Sequence, residues 1–179
     1  MQHVAPSTRK LMKLALNALS KNKGQEALDL LKQVLALNPN HAEALYHVGF
    51  ILHGAGHYVQ ASDYYQRAIH AEPLHLHSYL MLCKVLESQN RGQEAIQIVQ
   101  HAVQLMPHEA QAHCQLASSL LRFNNAHLVP AYLESILPQF REHVELQQFY
   151  CIALKANDRF EEADAVYNAL TTKHRVPAT

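Results

Sequence analysis

The side chains of this chain best equipped for chemistry are 14 histidines and three cysteines, Cys83, Cys114 and Cys151. The densest run is AEPLHLHSYL, residues 71–80, which sets His75 and His77 one residue apart and near Cys83. A zinc ion needs three or four converging thiolate, imidazole or carboxylate ligands. Nothing acidic or sulfur-bearing converges on this histidine pair in the sequence, so both read as residues of a polar turn punctuated by Pro73. A second string, HEAQAH at 108–113, has one residue too many for the HExxH of metalloproteases. Histidines five residues apart on a helix point about 140° away from one another. Cys114 is expected to be exposed and is the one candidate reactive thiol, although no carboxylate-supported base stands beside it in sequence. There is no glycine-rich phosphate loop and no carboxylate pair in a cleft pattern. The expectation is a non-enzyme with no metal ligands and no cofactor.

The elements that must carry these side chains are helices. Apolar residues make up 49% of 179 and charged residues 17%, the balance of one ordinary globular domain. Gly and Pro are sparse while Ala, Leu, Gln, Glu and Lys are abundant, which favours helix over sheet. Net charge is zero with histidines neutral, which argues against a nucleic-acid partner. The charge is nonetheless uneven. Residues 1–37 carry six basic side chains against Glu26 and Asp29, and residues 142–171 carry six acidic ones against Lys155 and Arg159. Such ends suit an acidic partner, or head-to-tail contact in a homo-oligomer. No stretch is long and apolar enough for membrane insertion. The start, MQHVAPSTRKLMKLALNAL, is broken by Lys13 and followed by no small-residue cleavage site, so it is not expected to be a signal peptide. Three cysteines without framework spacing suggest a reducing compartment, the cytoplasm.

Pro39, Pro73 and Pro107 stand 34 residues apart, and a fixed period of this size signals a repeat array. Frames of 34 residues starting at Thr8, Ala42, Leu76, Ala110 and Val144 fit without an insertion. The expected organisation is therefore an N-terminal arm 1–7, five repeats at 8–41, 42–75, 76–109, 110–143 and 144–172, and a tail 173–179. Frame positions 4, 7, 8 and 11 form one apolar stripe, and positions 20, 24 and 27 a second. Position 8 is small throughout (Ala15, Gly49, Cys83, Ala117, Cys151), as position 20 mostly is, so paired helices can approach closely. Position 24 is larger (Leu31, Tyr65, Val99, Leu133, Tyr167) and fills the space beside them. Breaker strings such as SKNKG (20–24) and HGAGH (53–57) separate the two helices of each pair. No pair can bury both of its faces alone, so stacked pairs in a solenoid are expected. Pro130 and Pro138 predict local irregularity between 124 and 142.

On these residues the chain resembles the tetratricopeptide repeat, with residues 42–73 the nearest match and no frame carrying the family's tryptophan at position 4. The resemblance implies an all-α, right-handed α-solenoid of five helix pairs that binds a protein or peptide, apolar or acidic in character, in a concave groove lined by the first helices. Carried over by frame position, the groove residues are Met12, Lys13 and Leu16, then Tyr46, His47, Phe50 and His53, then Leu80, Met81 and Lys84, with Cys114 in the fourth frame. The carboxylate clamp that holds chaperone tails is not matched, since Met12, Leu16, His47, His77 and Met81 stand at its positions. Two other readings are an assembly module joined through its charged ends, and an N-terminal module of a larger glycosyltransferase- or sulfotransferase-type bacterial protein.

Overall fold

The computed structural model describes residues 7–173, so the arm and tail lie outside it apart from Ser7 and Lys173. The described residues form helices and connecting turns, with no strand. The first helices of the five frames are α1 (Thr8–Ser20), α3 (Ala42–Gly54), α5 (Leu76–Ser88), α7 (Ala110–Arg122) and α9 (Val144–Ala156). The second helices are α2 (Gly24–Leu37), α4 (Tyr58–Ala71), α6 (Gly92–Leu105), α8 (Val129–Ile136) and α10 (Phe160–Lys173). All five first helices start at frame position 1.

The turn inside each pair has one conformational requirement. Asn22, Gly56, Asn90, Asn124 and Asp158 have positive φ, between 56° and 80°, and all five stand at frame position 15. This left-handed residue ends the first helix and reverses the chain. After α1, the Lys23 N–H donates to the Ala18 carbonyl at 2.9 Å and the Asn22 N–H to that of Leu19 at 3.0 Å. The same bonds recur after α3, from His57 to Leu52 and Gly56 to His53, and after α9, from Arg159 to Leu154 and Asp158 to Lys155. Asparagine and aspartate tolerate this conformation, glycine is free to adopt it, and alanine resists it. A Cβ on Gly56 would meet nothing within 4 Å, so conformation alone decides there. Gly56→Ala is expected to cost about 1–2 kcal/mol, while Asn22→Gly changes stability little; urea unfolding of both variants checks this.

The chain divides into two compact units, up to Asn90 and from Arg91 on. In the first, Leu11, Met12, Ala15, Leu31, Val34, Ala44 and Val48 form one buried cluster. Full burial of each large side chain contributes roughly 1.5–3 kcal/mol. Val48, at position 7, is covered because it packs on first-frame residues. Leu14, at the same position one frame earlier, is 44% exposed, contrary to the inward placement the stripe predicts. Gly49 and Tyr65 realise the small-large pairing of positions 8 and 24: a Cβ on Gly49 would lie 2.8 Å from the fully buried Tyr65 ring.

In the second unit, Cys151, Leu154 and Ala163 form a buried cluster between α9 and α10. The irregularity falls where the prolines predict it. A 3₁₀ turn, Ala126–Leu128, leads into α8, Pro130 sits in the first turn of that helix, and α8 stops at Ile136, two residues before Pro138. Eight residues replace the 14 of α2, α4, α6 and α10.

Candidate functional site

In the first unit the outward side chains of α3 meet the first turn of α5 around Tyr46. His41 caps α3 through its ring, Nδ1 accepting from the Ala44 N–H at 3.3 Å. His75 precedes α5, and its Nδ1 lies 2.8 Å from Ser78 Oγ. With both helix starts set this way, the Tyr46 ring lies 5.0 Å from His47, 5.2 Å from His75 and 6.1 Å from His77, and stacks at 6.4 Å on Phe50. Tyr46 is half-buried and Phe50 is 49% exposed. The result is an aromatic shelf with three imidazoles at its edge.

Burial holds the His47 imidazole below its usual range; Glu43 opposes the shift and His75 adds to it. Burial likewise lowers His75, opposed by Glu72 and Glu43 and reinforced by His77. A histidine whose folded pKa is depressed stabilises the fold fully above its unfolded value, about 6.5, and loses that contribution as pH falls toward the folded value. The unfolding temperature is therefore expected to fall as pH drops below about 6.5. In a His47→Gln/His75→Gln variant that fall should be shallower, which a thermal melt series between pH 8 and 5 checks.

The remaining sequence-derived positions divide. Lys13 and Lys84 are exposed, Leu16 is 37% exposed, and Leu80 and Met81 are half-buried. Met12 is not a surface residue: at 5% exposure it belongs to the core cluster with Leu31 and Val48. His53 is half-buried and set edge-on to Tyr58 at 5.5 Å, at the far end of α3 from Tyr46. Cys114 belongs to the second unit and is also 5% exposed, contrary to the exposed thiol expected. Its neighbours were not legible by adjacency. A ring nitrogen of His143 and a carboxylate oxygen of Glu145 converge with its Sγ, all within 4.8 Å of one another. Burial pushes the Cys114 thiol up to about 12, and the Glu145 carboxylate facing it adds to the rise. A thiol in that state is not the reactive nucleophile the sequence allowed.

His113, at position 4 where the family carries tryptophan, is buried and fully paired. Its Nε2 donates to the Pro107 carbonyl at 2.9 Å, which leaves Nδ1 to accept from the Tyr132 hydroxyl. The shortened α8 also opens a cleft of about 480 Å³ lined by Leu137, Pro138, Arg141, Tyr150, Val166 and others. The Tyr150 hydroxyl donates to Glu134 at 2.9 Å at its edge. Neither this cleft nor a cleft of about 410 Å³ between α2, α3 and α4 includes Tyr46 or Phe50, so the aromatic shelf is an open face rather than a pocket.

Helix pairs that recur every 34 residues, each turned by a left-handed residue at one frame position, define a helical-hairpin repeat protein. The model of the tetratricopeptide repeat matches residues 18–79 and 52–120, more than half of the chain, and the chain belongs to that family. Its fold is the family's right-handed α-solenoid. MamA from Desulfovibrio magneticus superposes with a TM-score of 0.74 at 17% identity, over 96% of this chain and 97% of that one. PilF of Pseudomonas aeruginosa gives 0.74 at 18%, over 96% and 78%. YrrB, described as having an unusual peptide-binding site, gives 0.69 at 20%, over 92% and 84%. No curated protein matches the chain in sequence. Among the described residues, no helix is long and apolar enough to cross a membrane.

Proposed function

We propose that this chain is a non-catalytic scaffold that captures an extended peptide bearing acidic and apolar side chains on the α3/α5 face around Tyr46 and Phe50. The observation that carries the proposal is the aromatic shelf itself. Phe50 is 49% exposed beside Tyr46, and His47, His75 and His77 gather at the same ring. An exposed aromatic surface is a favoured anchor for apolar side chains, and rigid aromatics concentrate binding energy in a few contacts. The exposed Lys13 and Lys84, with imidazoles that gain charge as pH falls, complement carboxylates on the ligand. The peptide-binding description of YrrB supports the reading by analogy of fold. Three free cysteines fit a reducing compartment, and the cytoplasm is the proposed location.

Peptides selected from a random display library against the folded chain provide the test. The selected set should be enriched in Asp, Glu and apolar residues, and its best member should bind more tightly at pH 6 than at pH 7.5. Tyr46→Ala/Phe50→Ala should weaken that peptide about 30-fold, the loss of one ~2 kcal/mol hot spot, with helix content unchanged. Equal affinity for a folded double variant removes the proposal.

A further inference from the structure

The junction between successive frames brings three positions together: 5 and 34 of one repeat, and 2 of the next. In the first unit these are Tyr46, His75 and His77, with ring centroids 5.2, 6.1 and 6.2 Å apart. In the second unit the same three positions hold Cys114, His143 and Glu145. The convergence of those donors follows from repeat geometry rather than from an accident of one loop.

We propose that Cys114, His143 and Glu145 bind a divalent transition-metal ion of the zinc type. Thiolate, imidazole and carboxylate are the three ligand classes zinc takes, and three protein ligands leave a fourth position for water. The thiolate and carboxylate charges balance a dication. A second observation points the same way. The histidines at frame position 34 spend Nδ1 within their own turn where they can: His41 accepts from the Ala44 N–H, and His75 bonds Ser78. His143 makes no such cap bond, and its Nδ1 is buried with no hydrogen-bond partner. A buried, unpaired imidazole nitrogen is costly, and a ligand at that place removes the cost. Bond lengths of about 2.0–2.3 Å put tetrahedral ligands roughly 3.3–3.8 Å apart. The three donors lie within 4.8 Å of one another, so side-chain adjustments of about an ångström bring them to that spacing, and Glu145 is exposed. The positive end of α9 opposes a cation here, a small term beside two anionic ligands.

Cobalt(II) chloride titrated into the tag-free full chain tests the site, followed by absorbance. The other histidines provide weak surface sites, but only thiolate ligation gives a sulfur-to-cobalt charge-transfer band. One equivalent should saturate that band, and zinc should displace it. Cys114→Ser should abolish it, and His143→Ala and Glu145→Gln should each weaken cobalt binding about tenfold or more. Glu145 is exposed and His143 makes no cap bond, so neither change threatens the fold. Absence of the band in the unaltered chain overturns the proposal, as does its survival in Cys114→Ser. Unchanged affinity in either of the other two variants overturns the three-ligand assignment.

Discussion

Gly92→Ala is expected to lower stability by about 2–3 kcal/mol, while the same change at Gly24 costs nothing. Both glycines stand at frame position 17, at the start of a second helix. Around Gly24 a Cβ would meet no atom within 4 Å. At Gly92 it would fall 2.1 Å from Phe123 Cδ1 and 2.3 Å from Cγ. The obstacle is the root of an aromatic ring, so the whole side chain of Phe123 must move. Alanine's better helix propensity, worth at most about 1 kcal/mol, cannot offset that displacement. Phe123→Ala opens the space, so the double variant Gly92→Ala/Phe123→Ala should be more stable than the sum of the singles predicts, by about 1–2 kcal/mol. Urea unfolding of the four proteins in that cycle, with Gly24→Ala as control, checks each part.

The larger effect belongs to Tyr65. It is fully buried at position 24, and Tyr65→Ala should cost about 3–5 kcal/mol. Its hydroxyl is buried with no hydrogen-bond partner, so Tyr65→Phe should be neutral or stabilising by up to about 1 kcal/mol. The ring owes its room to Gly49. Frames one and four fill the same two positions with Ala15/Leu31 and Ala117/Leu133. Gly49→Ala alone should therefore destabilise, and Gly49→Ala/Tyr65→Leu should recover part of the loss. Unfolding midpoints of the set decide it, and a Tyr65→Phe variant clearly less stable than the unaltered chain would contradict the unpaired hydroxyl.

The helix starts, the small-large pairing at positions 8 and 24 and the break at Pro138 were legible in the 34-residue frame, because each depends on residues within one repeat or on chain length alone. What depends on the next repeat was harder to read. Leu14 obeys the stripe, yet it stays open. Met12 and Cys114, both at position 5, were read as surface residues and are buried. Cys114 faces positions 34 and 2 at the frame boundary, through His143 and Glu145. Reading columns 5, 34 and 2 across each boundary would have joined Cys114 to His143 and Glu145, and Tyr46 to His75 and His77. The left-handed residue at position 15 lay inside every breaker string. Asn, Gly and Asp recur at several places in those strings, so composition did not single it out.

The central claim is that ligand capture takes place on the α3/α5 face of the first unit. Backbone amide chemical shifts of the isotope-labelled chain, followed as the best library-selected peptide is added, test it most directly. The largest changes should fall on residues 46–50 of α3 and on residues 75–84, which lead into and make up most of α5. Changes concentrated instead on Leu137, Pro138 and Tyr150, around the cleft beside the shortened α8, would contradict it.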